Sequence, residues 1–173
     1  MKKTFVLTII GPDRPGIVKQ LSGILTEHSA NWLESRMANL AGEFAGILHA
    51  TIDTAKYQSL LRDLNKLKEE NLHIVVKESG SETSNNIAYQ QAELEVVGTD
   101  REGIIRDITA VLSQFDINVE ELATEFSEAA MSSSPVFKAT AKLTMPQQLN
   151  LDIVEQEIEK IAHDLMTEFR IEP

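Results

Sequence analysis

The sequence contains no cysteine, few aromatic residues, a deficit of basic residues and no long hydrophobic run. The absence of cysteine excludes disulfides, thiolate metal sites and thiol nucleophiles, and it fits a reducing cytoplasm. No apolar run approaches the roughly 18 residues of a membrane-spanning helix, so we expect no membrane association. The net charge is −11, from 27 acidic and 16 basic residues. Such a surface repels a phosphate backbone, which disfavours direct binding of nucleic acid.

The chain does contain enough apolar material for a core. Of its 173 residues, 42% are hydrophobic and 25% are charged, which is ordinary for a globular protein. The opening residues, MKKTFVLTIIG, briefly imitate a secretory signal. The apolar stretch breaks at Gly11, however, and no small-residue cleavage pattern follows. We interpret this segment as a first strand and expect a cytoplasmic protein.

The chain repeats itself. A shift of 87 residues places 4–32 on 91–119 without a gap, and eight of the 29 aligned pairs are identical. Chance would give roughly two at typical residue frequencies. The segments FAGILHATID (44–53) and FKATAKLTMP (137–146) extend the match at an offset of 93. The sequence therefore indicates a duplication.

Hydrophobic periodicity predicts the same order of elements in each copy. The first copy has strand 4–10, helix 14–28, strands 31–40 and 43–53, helix 55–70 and strand 72–78. The second has strand 92–97, helix 101–114, strands 118–127 and 136–145, helix 150–164 and strand 166–172. This βαββαβ order predicts an α+β fold of two ferredoxin-like domains, each an antiparallel four-stranded sheet with its helices on one face. We assign residues 1–79 and 89–173 to the two domains and the polar segment 80–88 to a linker.

The other face of the first sheet is predicted to carry Val6, Thr8 and Ile10. This set is too apolar for bare solvent. We expect it to be covered by the linker, the other copy or a second chain, so a homo-oligomer is possible.

The junction between first strand and first helix occurs twice, as GPDRPG (11–16) and GTDREG (98–103). Asp13 and Asp100 stand where a helix N-cap is expected. Gly11 and Gly98 end the strand where an unusual backbone angle is expected, and the glycines at 16 and 103 allow close approach. A strand-to-helix turn needs such residues anyway. This structural requirement does not explain the two arginines, Arg14 and Arg101. A guanidinium beside a helix N-terminus favours the binding of an anion. With the aspartates they suit a zwitterion such as a free amino acid.

The segments GPDRPGIVKQLSGILTEHSANW and GTDREGIIRDITAVLSQFDINV resemble the opening halves of ACT domains. In those domains a G-x-D-[RK]-x-G-[IL]-[IV] turn precedes a helix and then an asparagine before the second strand. Two such copies and nothing else, with AAMSSSPVF in the second hairpin, look like the glycine cleavage system transcriptional repressor family.

The resemblance implies a regulatory module that binds a small ligand, such as glycine or a related amino acid, near the first strand-to-helix loop and at contacts between domains. The residues it points to are Gly11, Asp13, Arg14, Gly16, Asn31, Gly98, Asp100, Arg101, Gly103 and Asn118. It further implies repression of glycine cleavage genes through a DNA-binding activator of the LysR type, with glycine relieving the repression. Glu102 replaces Pro15 in the second copy and adds negative charge near that loop.

The remaining chemistry-bearing residues show no catalytic or metal-binding pattern. The four histidines, His28, His49, His73 and His163, lack metal-ligand spacing. Phosphate-binding, dinucleotide-binding and nucleophile-elbow motifs are absent. We therefore expect no enzyme activity, metal or cofactor. Two other hypotheses stay open: a regulatory subunit that binds an amino acid and controls a metabolic enzyme, and a stand-alone hydrolase on this fold.

Overall fold

The computed structural model describes residues 1–79, 89–128, 135–161 and 166–171. The chain divides into two compact units, Met1–Thr83 and Ser84–Pro173. The predicted linker at 80–88, the serine-rich segment of the second hairpin at 129–134, and His163 lie outside the described residues.

The first unit is a four-stranded antiparallel sheet with two helices. Its elements are β1 (Lys2–Pro12), α1 (Ile17–Glu27), β2 (Asn31–Leu40), β3 (Glu43–Asp53), α2 (Thr54–Lys66), a 3₁₀ helix (Leu67–Glu70) and β4 (His73–Glu78). The strand order is β2-β3-β1-β4.

The second unit repeats this plan. Its elements are β5 (Tyr89–Thr99), α3 (Ile104–Gln114), β6 (Asn118–Glu128), β7 (Pro135–Pro146), α4 (Leu151–Ile161) and β8 (Met166–Ile171), in the order β6-β7-β5-β8. Both sheets carry an irregularity at the same place, between Trp32 and Glu34 and between Val119 and Glu121. The predicted ferredoxin-like βαββαβ fold is therefore confirmed in both copies.

Alternation along β1 builds the first core. Phe5, Leu7 and Ile9 are buried because every second side chain of a strand points to the same face. The buried residues of α1 (Ile17, Leu21 and Leu25) belong to the same cluster. Their spacing of four places them on one side of the helix. Each fully buried aliphatic or aromatic side chain contributes about 1.5–3 kcal/mol relative to exposure.

The opposite face of the first sheet carries exposed apolar side chains, as predicted. Ile10 is 51% exposed, Ile47 46% and Val75 67%. They lie on the three adjacent strands β1, β3 and β4. The covering of this face by the linker, the other copy or a second chain stays a prediction.

The first helix of each unit begins later than the sequence pattern predicts, at Ile17 and Ile104. The preceding residues, Gly16 and Gly103, have φ angles of +96° and +81°. This left-handed conformation is available to glycine without steric cost. The turn therefore closes at the glycine, and regular helix starts one residue beyond it.

Candidate functional site

The strand-to-helix junction of each unit is built around its left-handed glycine. Gly16 caps α1 and Gly103 caps α3, and neither cap has a side-chain hydrogen bond. The carbonyl oxygen of Gly16 accepts the N–H of Gln20 at 2.9 Å, and that of Gly103 accepts the N–H of Asp107 at 3.0 Å. The predicted capping role of Asp13 and Asp100 is therefore wrong.

Asp13 instead connects the junction to the β2–β3 hairpin. Its N–H donates to the carbonyl of Gly42 at 2.9 Å, and the amide of Asn39 donates to its carboxylate at 2.5 Å. Asp13 and Asp100 are both exposed. Their carboxylates thus lie at the surface, beside the junction and not at the helix cap.

Gly11 lies near the end of the first strand, where a steric reason requires glycine. It is buried, and a Cβ placed there would lie 2.5 Å from the carbonyl oxygen of Asn71 and 2.9 Å from Cδ2 of Leu72. The described glycines with positive φ are Gly16, Gly42 and Gly103. The unusual backbone angle predicted for Gly11 and Gly98 is thus wrong, and Gly11 is required by the close approach of the chain before β4.

Arg14 lies beside the first junction in a cluster with Gln20 and Glu70. Its Nη2 donates to Oε1 of Gln20 at 2.9 Å and forms an ion pair with Oε2 of Glu70. The amide of Gln20 donates to Oε1 of Glu70 at 2.6 Å. These three side chains border a shallow, open depression of about 520 Å³, whose other lining residues include Gly16 and Lys19.

Arg101 occupies the matching place in the second unit, with different partners. Its Nη1 donates to Oδ2 of Asp107 at 2.8 Å and to the carbonyl of Glu102 at 3.5 Å. Its Nη2 is buried and has no hydrogen-bond partner among the residues that the structure describes. A buried donor without an acceptor is costly, and this nitrogen is the part of the guanidinium that its described partners leave unsatisfied.

Asp107 stands between two guanidinium groups. Its other carboxylate oxygen, Oδ1, accepts from Nε and Nη2 of Arg106 at 3.0 and 2.9 Å. The hydrogen bond from Arg101, and after it the one from Arg106, hold the pKa of Asp107 below its ordinary value. The carboxylate therefore stays ionised at neutral pH and fixes one side of Arg101.

The structure does not bring Asn31 and Asn118 to the junctions. In the first sheet Asn31 lies opposite Thr51, which lies opposite Thr4 at the start of β1. Gly11 is seven residues further along that strand, roughly 23 Å at the rise of an extended strand. In the second sheet Asn118 lies opposite Thr144, and Thr144 opposite Gln91. Both asparagines are thus at the far end of their sheets.

Four residues near the junctions were missed by sequence reasoning: Asn39, Gln20, Glu70 and Asp107. Gln20 lies six residues after Arg14, and Asp107 lies six residues after Arg101. These two positions align at the offset of 87, so the repeat itself could have pointed to them. Nothing in the sequence connects Glu70 to Arg14 across 56 residues.

A second cavity lies on the face of the second sheet opposite its helices. It has a volume of about 350 Å³, and its lining includes Glu93, Glu95 and Lys142. Ion pairs cross this face, at 3.1 Å between Lys138 and Glu95 and at 3.7 Å between Lys142 and Glu121. Such cross-strand pairs are typical of a solvated sheet face, and none of the predicted site residues belongs to the lining.

Among residues 1–79, 89–128, 135–161 and 166–171, no three histidine, aspartate or glutamate side chains are grouped so that they could hold a metal ion. Within the same part of the chain, no helix combines the length and apolarity that crossing a membrane requires.

Comparison with known proteins places this architecture in a family. The ACT domain family model matches residues 3–77. A UPF0237 protein of Methanopyrus kandleri is 30% identical over 89 residues, covering 51% of this chain and 88% of that protein. A UPF0237 protein of Methanocaldococcus jannaschii is 37% identical over 67 residues, covering 38% of this chain and 74% of that protein.

Solved structures resemble the whole chain. The crystal structure of an unknown protein from Galdieria sulphuraria is 28% identical, with a TM-score of 0.86 over 100% of both chains. The crystal structure of a candidate glycine cleavage system transcriptional repressor has the same fold, with a TM-score of 0.69 over 99% of both chains and 19% identity. With a family match in the first unit and the same fold in the second, the chain is a tandem ACT-domain protein and belongs to the ACT-domain family.

Proposed function

We propose that the protein is a non-enzymatic, amino-acid-responsive regulator that represses glycine cleavage genes in the cytoplasm through a DNA-binding activator of the LysR type. The observation that carries the sensing part is the buried Nη2 of Arg101, which has no acceptor among the described residues. A carboxylate is the acceptor that a guanidinium binds most strongly. The likeness to the candidate glycine cleavage repressor over 99% of both chains supports the choice of pathway.

The junction offers both halves of an amino acid a partner. Arg101 and the first N–H groups of α3, which have no acceptor inside the helix, receive the carboxylate. Asp100, exposed beside them, receives the ammonium group. Gly103 has no side chain, and the guanidinium of Arg106 lies 3.1 Å from the position that a Cβ of Gly103 would take. Gly11, Asp13, Arg14 and Gly16 form the corresponding set in the first unit, and Gly98 supports the second. Asn31 and Asn118 are not part of this proposed arrangement.

The charge of the molecule supports a protein partner. At a net charge of −11, contact with an operator would require a concentrated basic patch. A DNA-binding activator can supply the basic surface itself. The repressor would then act by occupying the activator, with glycine changing that contact.

A serine–histidine–aspartate grouping in the first unit supports a structural role over a catalytic one. Oγ of Ser59 lies 3.1 Å from Nδ1 of His28, and Nε2 of His28 lies 2.7 Å from Asp63. The Ser59 hydroxyl, however, donates to the carbonyl of Lys56, and Ser59 lies inside α2. Backbone N–H groups inside a helix are already bonded and cannot stabilise an oxyanion.

A thermal-shift panel of amino acids tests the sensing part. We expect millimolar glycine to raise the Tm of the wild type, because a ligand that binds the folded state stabilises it. Arg101→Gln should reduce the shift, because it removes the proposed carboxylate partner of the second junction. If no amino acid at this concentration raises the Tm, the sensing part is overturned.

Copurification from native extract tests the partner: a LysR-type regulator supports the proposal, whereas an enzyme large subunit supports the alternative of a regulatory subunit.

A further inference from the structure

The face of the first sheet opposite its helices, called here the open face, is apolar at its centre. Ile10, Ile47 and Val75 are 51%, 46% and 67% exposed, and they lie on the three adjacent strands β1, β3 and β4. Val6 shares this face with Ile10, because every second side chain of a strand points to the same side. A continuous apolar surface across neighbouring strands is typical of a site that contacts another molecule.

The second unit shows that the fold does not require apolar side chains at these positions. At the offsets of the repeat, Ile47 corresponds to Thr140 and Val6 corresponds to Glu93. The second sheet has the same strand order, and its first and third strands pair in the same register. The apolar side chains of the open face therefore do not serve the fold, which the second unit achieves with polar ones.

Pairing between strands arranges the outward side chains of the open face in rows. One row runs from β4 through β1 and β3 to β2 and contains Lys77, Val6, His49 and Glu34. The next row contains Val75, Thr8, Ile47 and Arg36. Lys77 and Glu34 are both exposed, and they lie at opposite edges of the sheet, three strand spacings or roughly 14 Å apart. Opposite charges thus stand on either side of an apolar centre.

This pattern is complementary to itself. When two copies of the open face meet about a two-fold axis parallel to the strands, β2 of one copy lies over β4 of the other. Each row then faces the same row of the second copy in reverse order. Lys77 therefore faces Glu34 of the second copy at both edges, and Ile47 faces Thr8 near the centre. A two-fold contact of this kind uses the same surface on both chains.

The dimensions of the open face suit a contact between two sheets. Facing sheets pack with their strands at about 30° to each other. This angle displaces the edge strands by a few ångströms, which the long side chains of Lys77 and Glu34 can span. At the usual strand spacing and rise, the face covers roughly 600 Å². This is close to the area of about 800 Å² that each partner contributes to a standard interface.

The charge of the open face favours a second copy although the chain has a net charge of −11. Two such chains repel each other wherever their acidic surfaces meet. The two rows, in contrast, carry the carboxylate of Glu34 together with the cations of Lys77 and Arg36. Glu34 is paired with Arg36 at 2.9 Å but is 63% exposed, so a further cation can reach it. Two copies can therefore approach through this face without bringing acidic surfaces together.

We propose that the chain forms a homodimer through the open faces of its first sheets, in which Lys77 of each copy pairs with Glu34 of the other. The contact removes Ile10, Ile47 and Val75 from water. This inference goes beyond the proposed function, because it does not depend on which ligand the junctions bind.

Sedimentation velocity of the full chain across micromolar concentrations tests the dimer. We expect a monomer–dimer equilibrium for the wild type. Ile47→Ala should weaken dimerisation about tenfold or more, because each dimer loses two buried side chains. Thr140→Ala is the matched control, since it truncates the exposed side chain at the corresponding position of the second sheet and should leave dimerisation unchanged.

Charge reversal tests the two-fold arrangement. Lys77→Glu and Glu34→Lys should each weaken dimerisation about tenfold, because each brings like charges together at both edges of the contact. An equimolar mixture of the two variants should dimerise like the wild type, since both edges then combine opposite charges. The two residues are too far apart within one chain for an internal ion pair to explain this rescue.

The outcomes decide between the possible covers of the open face. A wild type that stays monomeric, or a dimer that Ile47→Ala does not weaken, would overturn the inference and leave the linker or the other copy as the cover. A mixture as weakly associated as its two components would overturn the pairing of Lys77 with Glu34. Each of these results leaves the proposed function standing, because that function is tested separately by the thermal shift with amino acids.

Discussion

At the residue scale, the glycines of the first junction meet two different requirements. Gly16 adopts φ +96° and a Cβ there would meet nothing within 4 Å, so its constraint is conformational. Gly11 has no positive φ, and its constraint is the carbonyl of Asn71. The difference separates a residue that shapes the turn from one that leaves room for a neighbouring segment.

Gly11→Ala should destabilise the first unit by about 1–3 kcal/mol, the usual cost of an overpacked core. The added methyl would meet backbone at 2.5 Å, which cannot rotate away as a side chain can. The measurement is urea unfolding followed by the near-ultraviolet signal of Trp32, which packs against the first core.

Gly23→Ala provides the matched control for this substitution. A Cβ at Gly23 meets nothing within 4 Å, and the residue lies inside α1. Alanine is favoured over glycine in a helix by about 1 kcal/mol, so this variant should be slightly more stable than the wild type. Equal destabilisation by both substitutions would contradict the steric account of Gly11.

The pH dependence of the second junction follows from Asp107. Its pKa is lowered by the hydrogen bonds from Arg101 and Arg106. Because the folded pKa is below the unfolded one, the stabilisation is fully present above the unfolded pKa of about 4 and is lost as pH falls through the folded pKa. Asp107→Asn should therefore flatten the acid side of the stability curve of the second unit.

Hydrogen exchange of α3 amides, measured at several pH values between neutrality and the acid limb, checks this prediction. The control is Asp152→Asn, which removes an exposed carboxylate in the first turn of α4. An acid limb unchanged in Asp107→Asn would contradict the assignment.

At the element scale, the sequence predicted more of the sheet than of the junctions. The alternation of Phe5, Leu7 and Ile9 predicted which face is buried, because burial follows directly from a period of two. The start of α1 was misplaced because an aspartate with extended backbone angles is a usual helix N-cap, whereas here a left-handed glycine, Gly16, precedes the helix. The sequence does not give this backbone angle.

The distance between Asn31 and the first junction has a topological cause. Because β2 and β1 both pair antiparallel with β3, they run in the same direction. Helix α1 therefore carries the chain back along the sheet before β2 begins. The first residue of β2 must therefore lie near the start of β1, far from the turn that follows β1. The βαβ order alone could have shown this, whereas the contact of Glu70 with Arg14 depends on side-chain geometry that no pattern encodes.

The packing of α1 on α2 leads to a prediction about His28. Its side chain is 14% exposed and contacts Asp63 at 2.7 Å and Ser59 at 3.1 Å, so it joins the end of α1 to the middle of α2. His28→Ala should lower the Tm of the first unit, because it leaves these polar partners without their contact.

Differential scanning calorimetry measures this Tm. His73→Ala, which changes an exposed histidine on β4, is the control and should leave the Tm nearly unchanged. Equal Tm values for the wild type and His28→Ala would contradict a structural role for His28.

At the scale of the whole molecule, the duplicated units keep one architecture and differ in surface. Strand order and the β2 and β6 irregularities are shared. The exposed sheet face carries Ile10, Ile47 and Val75 in the first unit, and cross-strand ion pairs in the second. The duplication therefore preserved the fold while the exposed sheet faces diverged.

The charge of the whole chain leads to the last prediction. With 27 acidic and 16 basic residues, the purified protein should not bind a labelled promoter fragment of a glycine cleavage gene, even at low salt where phosphate contacts are strongest. Fluorescence anisotropy measures this directly. The same protein should change the anisotropy once the LysR-type activator is bound to the fragment, because the proposed contact is with that protein. Binding to the bare fragment that weakens steeply with added salt would mean that the chain contacts phosphates itself, and the indirect mechanism would then be wrong.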